Sequence, residues 1–149
     1  MFPRGLILAV VIGITAGAIV GLFLVTQKNG EQLEFVEGPS LSIVTDKTDF
    51  AQAEEIKIKI INSGTRSLTF SDASYGLQIT GLDGRILYTP IAAQVISTLE
   101  PKQEIIFVWN QIKNDGDPAS AGIYKITSNG TDEALTVKKS IIINIYKYP

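Results

Sequence analysis

Gly5 to Val25 is a run of 21 residues without a single charge. A helix of that length is about 31 Å long at about 1.5 Å per residue, which matches the hydrocarbon thickness of a bilayer. The run predicts one transmembrane α-helix, with residues 1–26 as the anchor, 27–40 as a linker and 41–149 as the folded domain. Arg4 and the free amino terminus precede the helix, and Lys28, Glu31, Glu34 and Glu37 follow it. Positive charge stays on the cytoplasmic side, so the expected topology in the cytoplasmic membrane is N-terminus inside and domain outside. A retained anchor is the expectation, because the run exceeds a signal-peptide core of about 7–15 residues. Cleavage after Ala18, or between Arg4 and Gly5 as in class III pilin-like signals, stands as the alternative.

Ala9, Gly13, Gly17 and Gly21 recur every fourth residue within the run. Two overlapping GxxxG motifs of this kind let a second helix backbone approach closely, since lipid offers no hydrophobic drive for helix pairing. The stripe therefore predicts a protein partner for the helix, either a second copy or another chain.

Beyond the anchor, Thr26 to Ser40 is polar and acidic, contains Gly30, Gly38 and Pro39, and has no sustained period, as a stalk would. The remainder alternates with period two. Glu55 to Ile60 reads charged–apolar throughout, as a half-buried strand requires. Asn62-Ser63-Gly64-Thr65 is a turn signal, Leu68 to Phe70 the next strand, and Asp83-Gly84 joins Leu77–Thr80 to Ile86–Tyr88 as a hairpin. Glu100-Pro101-Lys102-Gln103 precedes an apolar strand over Glu104 to Asn110, and Asn114 to Pro118 reads as a loop. A strand over Gly122 to Thr127, a turn at Asn129-Gly130 and a last strand over Leu135 to Tyr146 complete the chain. The 22 Ile against 12 Leu favour strands. Seven or eight short strands and no helical period in the domain predict an all-β, immunoglobulin-like sandwich preceded by the N-terminal helix. Trp109 is the expected core aromatic, and Tyr124, in Ala121-Gly122-Ile123-Tyr124, sits where a tyrosine corner would.

From Ile56 to Ile126 the chain resembles the BsuPI family of intracellular proteinase inhibitors. The residues that carry the resemblance are Ile58-Lys59-Ile60-Ile61-Asn62-Ser63-Gly64, Leu68-Thr69-Phe70-Ser71, Tyr75-Gly76-Leu77-Gln78-Ile79 with Asp83-Gly84, Leu99-Glu100-Pro101-Lys102-Gln103-Glu104, Phe107-Val108-Trp109-Asn110-Gln111 and Ala121-Gly122-Ile123-Tyr124. That resemblance implies a sandwich that inhibits or regulates a proteinase. The layout of one helix followed by an outward sandwich is similar to that of archaellum stator proteins, which implies binding to the cell envelope. The Ile-rich usage and the short Met1-Phe2-Pro3-Arg4 leader suit an archaeal membrane protein.

The chain has no His and no Cys, which excludes Ser-His and Cys-His nucleophiles, thiolate metal sites and disulfides. A net charge of −2 argues against a nucleic-acid partner. Lys139-Ser140 are adjacent on a strand and point to opposite faces, so they cannot share a proton. The carboxylate pairs Glu54-Glu55, Asp115/Asp117 and Asp132-Glu133 read as solvated charges. Asn114-Asp115-Gly116-Asp117 lacks the ligand spacing of a calcium loop. No enzyme activity, cofactor, metal or small-molecule substrate is expected. Asn129-Gly130-Thr131 is an N-glycosylation sequon, which makes Asn129 a candidate modification site. Ile141, Ile142, Ile143 and Ile145 make the last strand nearly continuous in apolar residues, which predicts a central strand or one covered by a partner.

Overall fold

The computed structural model describes residues 33–133 and 135–147. The expected transmembrane helix and its stripe of Ala9, Gly13, Gly17 and Gly21 lie outside the described residues, as do Tyr148 and Pro149. The described residues are all-β. Their ten strands are β1 (Leu41–Thr45), β2 (Asp49–Ala51), β3 (Ile56–Asn62), β4 (Leu68–Phe70), β5 (Gln78–Gly81), β6 (Ile86–Tyr88), β7 (Ser97–Leu99), β8 (Glu104–Trp109), β9 (Gly122–Asp132) and β10 (Leu135–Tyr146). The count exceeds the seven or eight expected through β1, β2 and β7.

Two sheets form a sandwich. One is β1-β3-β8; the other is β2-β10-β9-β4-β7, with β5 also on β9 and β6 on β5. In β3 the alternation read from the sequence is literal: Ile56, Ile58 and Ile60 are fully buried, whereas Lys57 and Lys59 face outward. They pack with Ile126, Ile143, Ile145, Leu68 and Phe50 in one core. Each such side chain contributes about 1.5–3 kcal/mol by leaving water.

β10 explains its own apolar run by position. It pairs with β9 along nearly its whole length and with β2 over Asn144–Tyr146, and Ile143 and Ile145 are buried while Asn144 turns out. Ile142 is the exception and faces solvent. The chain also changes sheets at its start: β1 pairs with β3 antiparallel, and after Asp46–Thr48, β2 pairs with β10 in parallel, Asp49 opposite Asn144 and Ala51 opposite Tyr146.

One turn is displaced from its expected place. Asn129-Gly130 was the expected end of β9, yet the strand continues to Asp132, with Asn129 opposite Lys138. Gly130 makes this possible by lacking a side chain: a Cβ there would lie 2.7 Å from the Phe70 ring. Thr131 then pairs with Thr69 of β4. Burial against Phe70 and a second ladder outweigh the local turn preference of Asn-Gly.

Part of the expected linker is hydrogen-bonded to the domain. Val36 N–H donates to Ser63 O at 2.9 Å, Thr65 N–H to Gly38 O at 2.9 Å, and Ser63 N–H to Ser40 O at 3.1 Å.

Candidate functional site

The aromatic centre comes first, because it holds the strands that carry the surface. Trp109 is buried and donates its indole N–H to Ile112 O at 2.9 Å. Tyr88 stacks on it at 5.6 Å and Tyr124 meets it edge-on at 6.1 Å. The Tyr124 hydroxyl donates to Ser120 O at 2.5 Å, four residues upstream, tying the loop before β9 to the strand. Replacing Tyr124 with Phe removes this bond and keeps the ring. The expected loss is about 1–2 kcal/mol of unfolding free energy, read by urea titration.

Several polar groups singled out in the sequence have local partners. Glu54 pairs with Lys47 and accepts from Ala51 N–H; the Lys47 contact, then the amide, hold its carboxyl below the usual carboxylate range. Asp115 accepts from Asp117 N–H at 2.9 Å, which lowers its pKa, and Lys113 lies 3.6 Å away. Asp132 lies 3.5 Å from Arg66, whereas Glu133 faces solvent. The Ser140 hydroxyl bonds Thr127 at 3.1 Å. Among the described residues, no group of three or more carboxylates gathers as a metal site would require.

Exposed apolar side chains are more informative. The chain carries no charge from Ile86 to Leu99, a signal in the sequence that motif reading passed over. The middle of this run is the loop between β6 and β7. There Ile91 is fully exposed, Val95 is 56% exposed and Ile96 is 78% exposed. The loop is held in place by Thr89 N–H to Asn114 Oδ1 at 3.1 Å and Ala73 N–H to Ala93 O at 3.0 Å.

Ile96 also borders a shallow recess of about 320 Å³ on the outer face of the larger sheet, with Thr69, Ser71, Asn129 and Thr131 around it. Beside it, Thr98, Thr69, Thr131 and Thr136 stand opposite one another on β7, β4, β9 and β10, forming an uncharged hydroxyl row. The Thr131 hydroxyl donates to Thr69 O at 3.3 Å. Asn129, the sequon residue, is exposed within a paired strand at the rim of this recess rather than on a turn.

No protein-family model and no curated protein sequence matches the chain. Among solved structures, it is similar to the crystal structure of Spo0M, a sporulation control protein from Bacillus subtilis. The TM-score is 0.45 and the identity 10%, over 76% of this chain and 51% of that one. The chain thus spans about half the length of that protein.

Proposed function

We propose that the chain is a non-enzymatic, single-pass protein of the cytoplasmic membrane, N-terminus inside. Its outward domain is an immunoglobulin-like sandwich that binds a protein partner as an accessory subunit of a membrane assembly. The uncharged run from Gly5 to Val25 supports the anchor. The move of the chain from β1 in one sheet to β2 in the other, and the Tyr124 hydroxyl bond at the start of β9, support the immunoglobulin-like assignment. The observation that carries the binding role is the loop with Ile91, Val95 and Ile96 in water. Three aliphatic side chains on one uncharged loop, beside a neutral recess, form a surface that gains free energy when covered.

The test is purification of the full-length protein from its native membrane in mild detergent, alongside a variant with Ile91→Asp, Val95→Asp and Ile96→Asp. A stoichiometric membrane partner is expected with the wild type, with affinity lowered at least about 100-fold in the variant. A variant that keeps the same partner, or a wild type recovered without one, rejects this reading. Inhibition of a proteinase by the purified protein, or binding of it to isolated cell envelope, would instead favour the roles implied by the two resemblances.

A further inference from the structure

β8 is a sheet edge of unusual character. Among the described residues it pairs only with β3, and its six residues, Glu104-Ile105-Ile106-Phe107-Val108-Trp109, contain no Lys, Arg, Pro or Gly. The edge strands of the larger sheet, β2, β6 and β7, are three residues each. Proteins ordinarily blunt a long apolar edge, because its free N–H and C=O groups form a template for another strand.

The direction of those groups follows from the ladder. Asn62 N–H donates to Gln103 O at 3.0 Å and Lys102 N–H to Asn62 O at 2.9 Å. Pairing alternates from there, so Ile105, Phe107 and Trp109 bond to Ile60, Ile58 and Ile56. The N–H and C=O groups of Glu104, Ile106 and Val108 therefore point away from β3. Their side chains stand on the outer face, where Ile106 is 46% and Val108 52% exposed.

We infer that the occupant of this edge is β8 of a second copy, paired antiparallel about Ile106. In this register Ile106 faces the partner's Ile106, and Glu104 faces the partner's Val108. All three outward-pointing residues exchange hydrogen bonds, which gives one continuous sheet of six strands. Charge complementarity favours a second copy as the occupant, and the hydrogen-bonding groups favour this register. Val108 stands opposite Lys57 and Ile106 opposite Lys59, so this face is basic on β3, and Glu104 lies 3.6 Å from Lys59. Pairing about Ile106 brings each Glu104 next to the partner's Val108, one strand from the partner's Lys57. Pairing about Phe107 would set Glu104 opposite the partner's Asn110 and towards its Glu55, and pairing about Ile105 would set Val108 opposite the partner's Lys102, whose N–H already donates to Asn62 O. The two-fold symmetry closes on itself and leaves no free β8 edge, so the product is a dimer and not a fibre.

The absence of cysteine makes the test clean. Full-length protein carrying Ile106→Cys is oxidised mildly in detergent and compared with Ile142→Cys, which is equally exposed on the other sheet. Hydrogen-bonded antiparallel partners have Cα atoms about 5.5 Å apart, within disulfide range. The Ile106 variant is expected to become mostly covalent dimer, and the Ile142 variant to cross-link at least about ten-fold less. Glu104→Cys mixed with Val108→Cys should cross-link to each other and not to themselves. Ile106→Lys, on an exposed position, should keep the circular dichroism of the wild type and lose the Glu104–Val108 cross-link. Equal cross-linking at 106 and 142 overturns the inference. So does a dimer that survives while 106 stays reduced, or a different protein seated on β8.

Discussion

Replacing Asn62 with Ala is expected to remove about 3–4 kcal/mol of stability. The side chain is fully buried and makes three bonds: Nδ2 donates to Arg66 O at 2.7 Å and to Leu99 O at 2.8 Å, and Oδ1 accepts from Gly64 N–H at 3.0 Å. It ties β3 to the turn that follows and to the end of β7. Alanine leaves one amide and two carbonyls without this partner, in a place where water does not substitute cheaply. Asn62→Asp is the informative companion. A carboxylate can still accept from Gly64 N–H but faces two carbonyls, so its proton is held more tightly in the folded state than in the unfolded chain. Its stability is therefore greatest at low pH and is lost as pH rises through the folded-state value. Urea titrations at pH 4 and pH 7 check both; a variant indifferent to pH contradicts the account.

Gly76→Ala is expected to be at least as damaging, about 3–5 kcal/mol, or a melting temperature lower by about 10–20 °C. Gly76 has φ +66°, and a Cβ there would lie 2.2 Å from Asn129 O and 2.8 Å from Asn129 N. Both obstacles are backbone, so no side chain can swing away. The close approach exists because the segment after β4 folds back on β9, where the buried Ser128 hydroxyl donates to Tyr75 O at 2.7 Å and the Phe70 and Tyr75 rings meet at 5.1 Å. Gly84, also at positive φ but with open space around it, is the control. Alanine there meets only the backbone penalty of about 1 kcal/mol. Thermal melts of both variants test the distinction.

Much of the fold was legible where one local rule acted alone. β4, β6 and β10 have the expected ends, β8 ends one residue early, and β3 starts one residue late and ends two residues late, because alternation and turn chemistry agree there. Where local and distant terms compete, sequence reading fails for an identifiable reason. Asn129-Gly130 carries a strong turn preference, and only the position of the Phe70 ring shows why the strand runs on. Gln111 looks like an ordinary polar loop residue, yet it is buried at φ +64°. Its amide donates to Ala51 O at 2.8 Å and Glu54 O at 2.9 Å and accepts from Ala53 N–H at 3.1 Å, partners almost sixty residues away. The candidate surface divides the same way. The uncharged run over residues 86–99 could be counted from the sequence, but only the fold separates its exposed Ile91 and Ile96 from buried Leu99.

The parallel pairing of β2 with β10 has a mechanical consequence. Tension applied between the two ends of the domain pulls β2 towards its own start and β10 towards its own finish. In parallel strands those forces run oppositely along the ladder. The bonds around Thr48–Asn144 at 2.8 Å and Gln52–Tyr146 at 3.0 Å are then loaded together in shear, rather than peeled one at a time as in a hairpin. Forced rupture is governed by the unfolding rate, so once β1 has been drawn off β3 this short ladder resists further extension in shear.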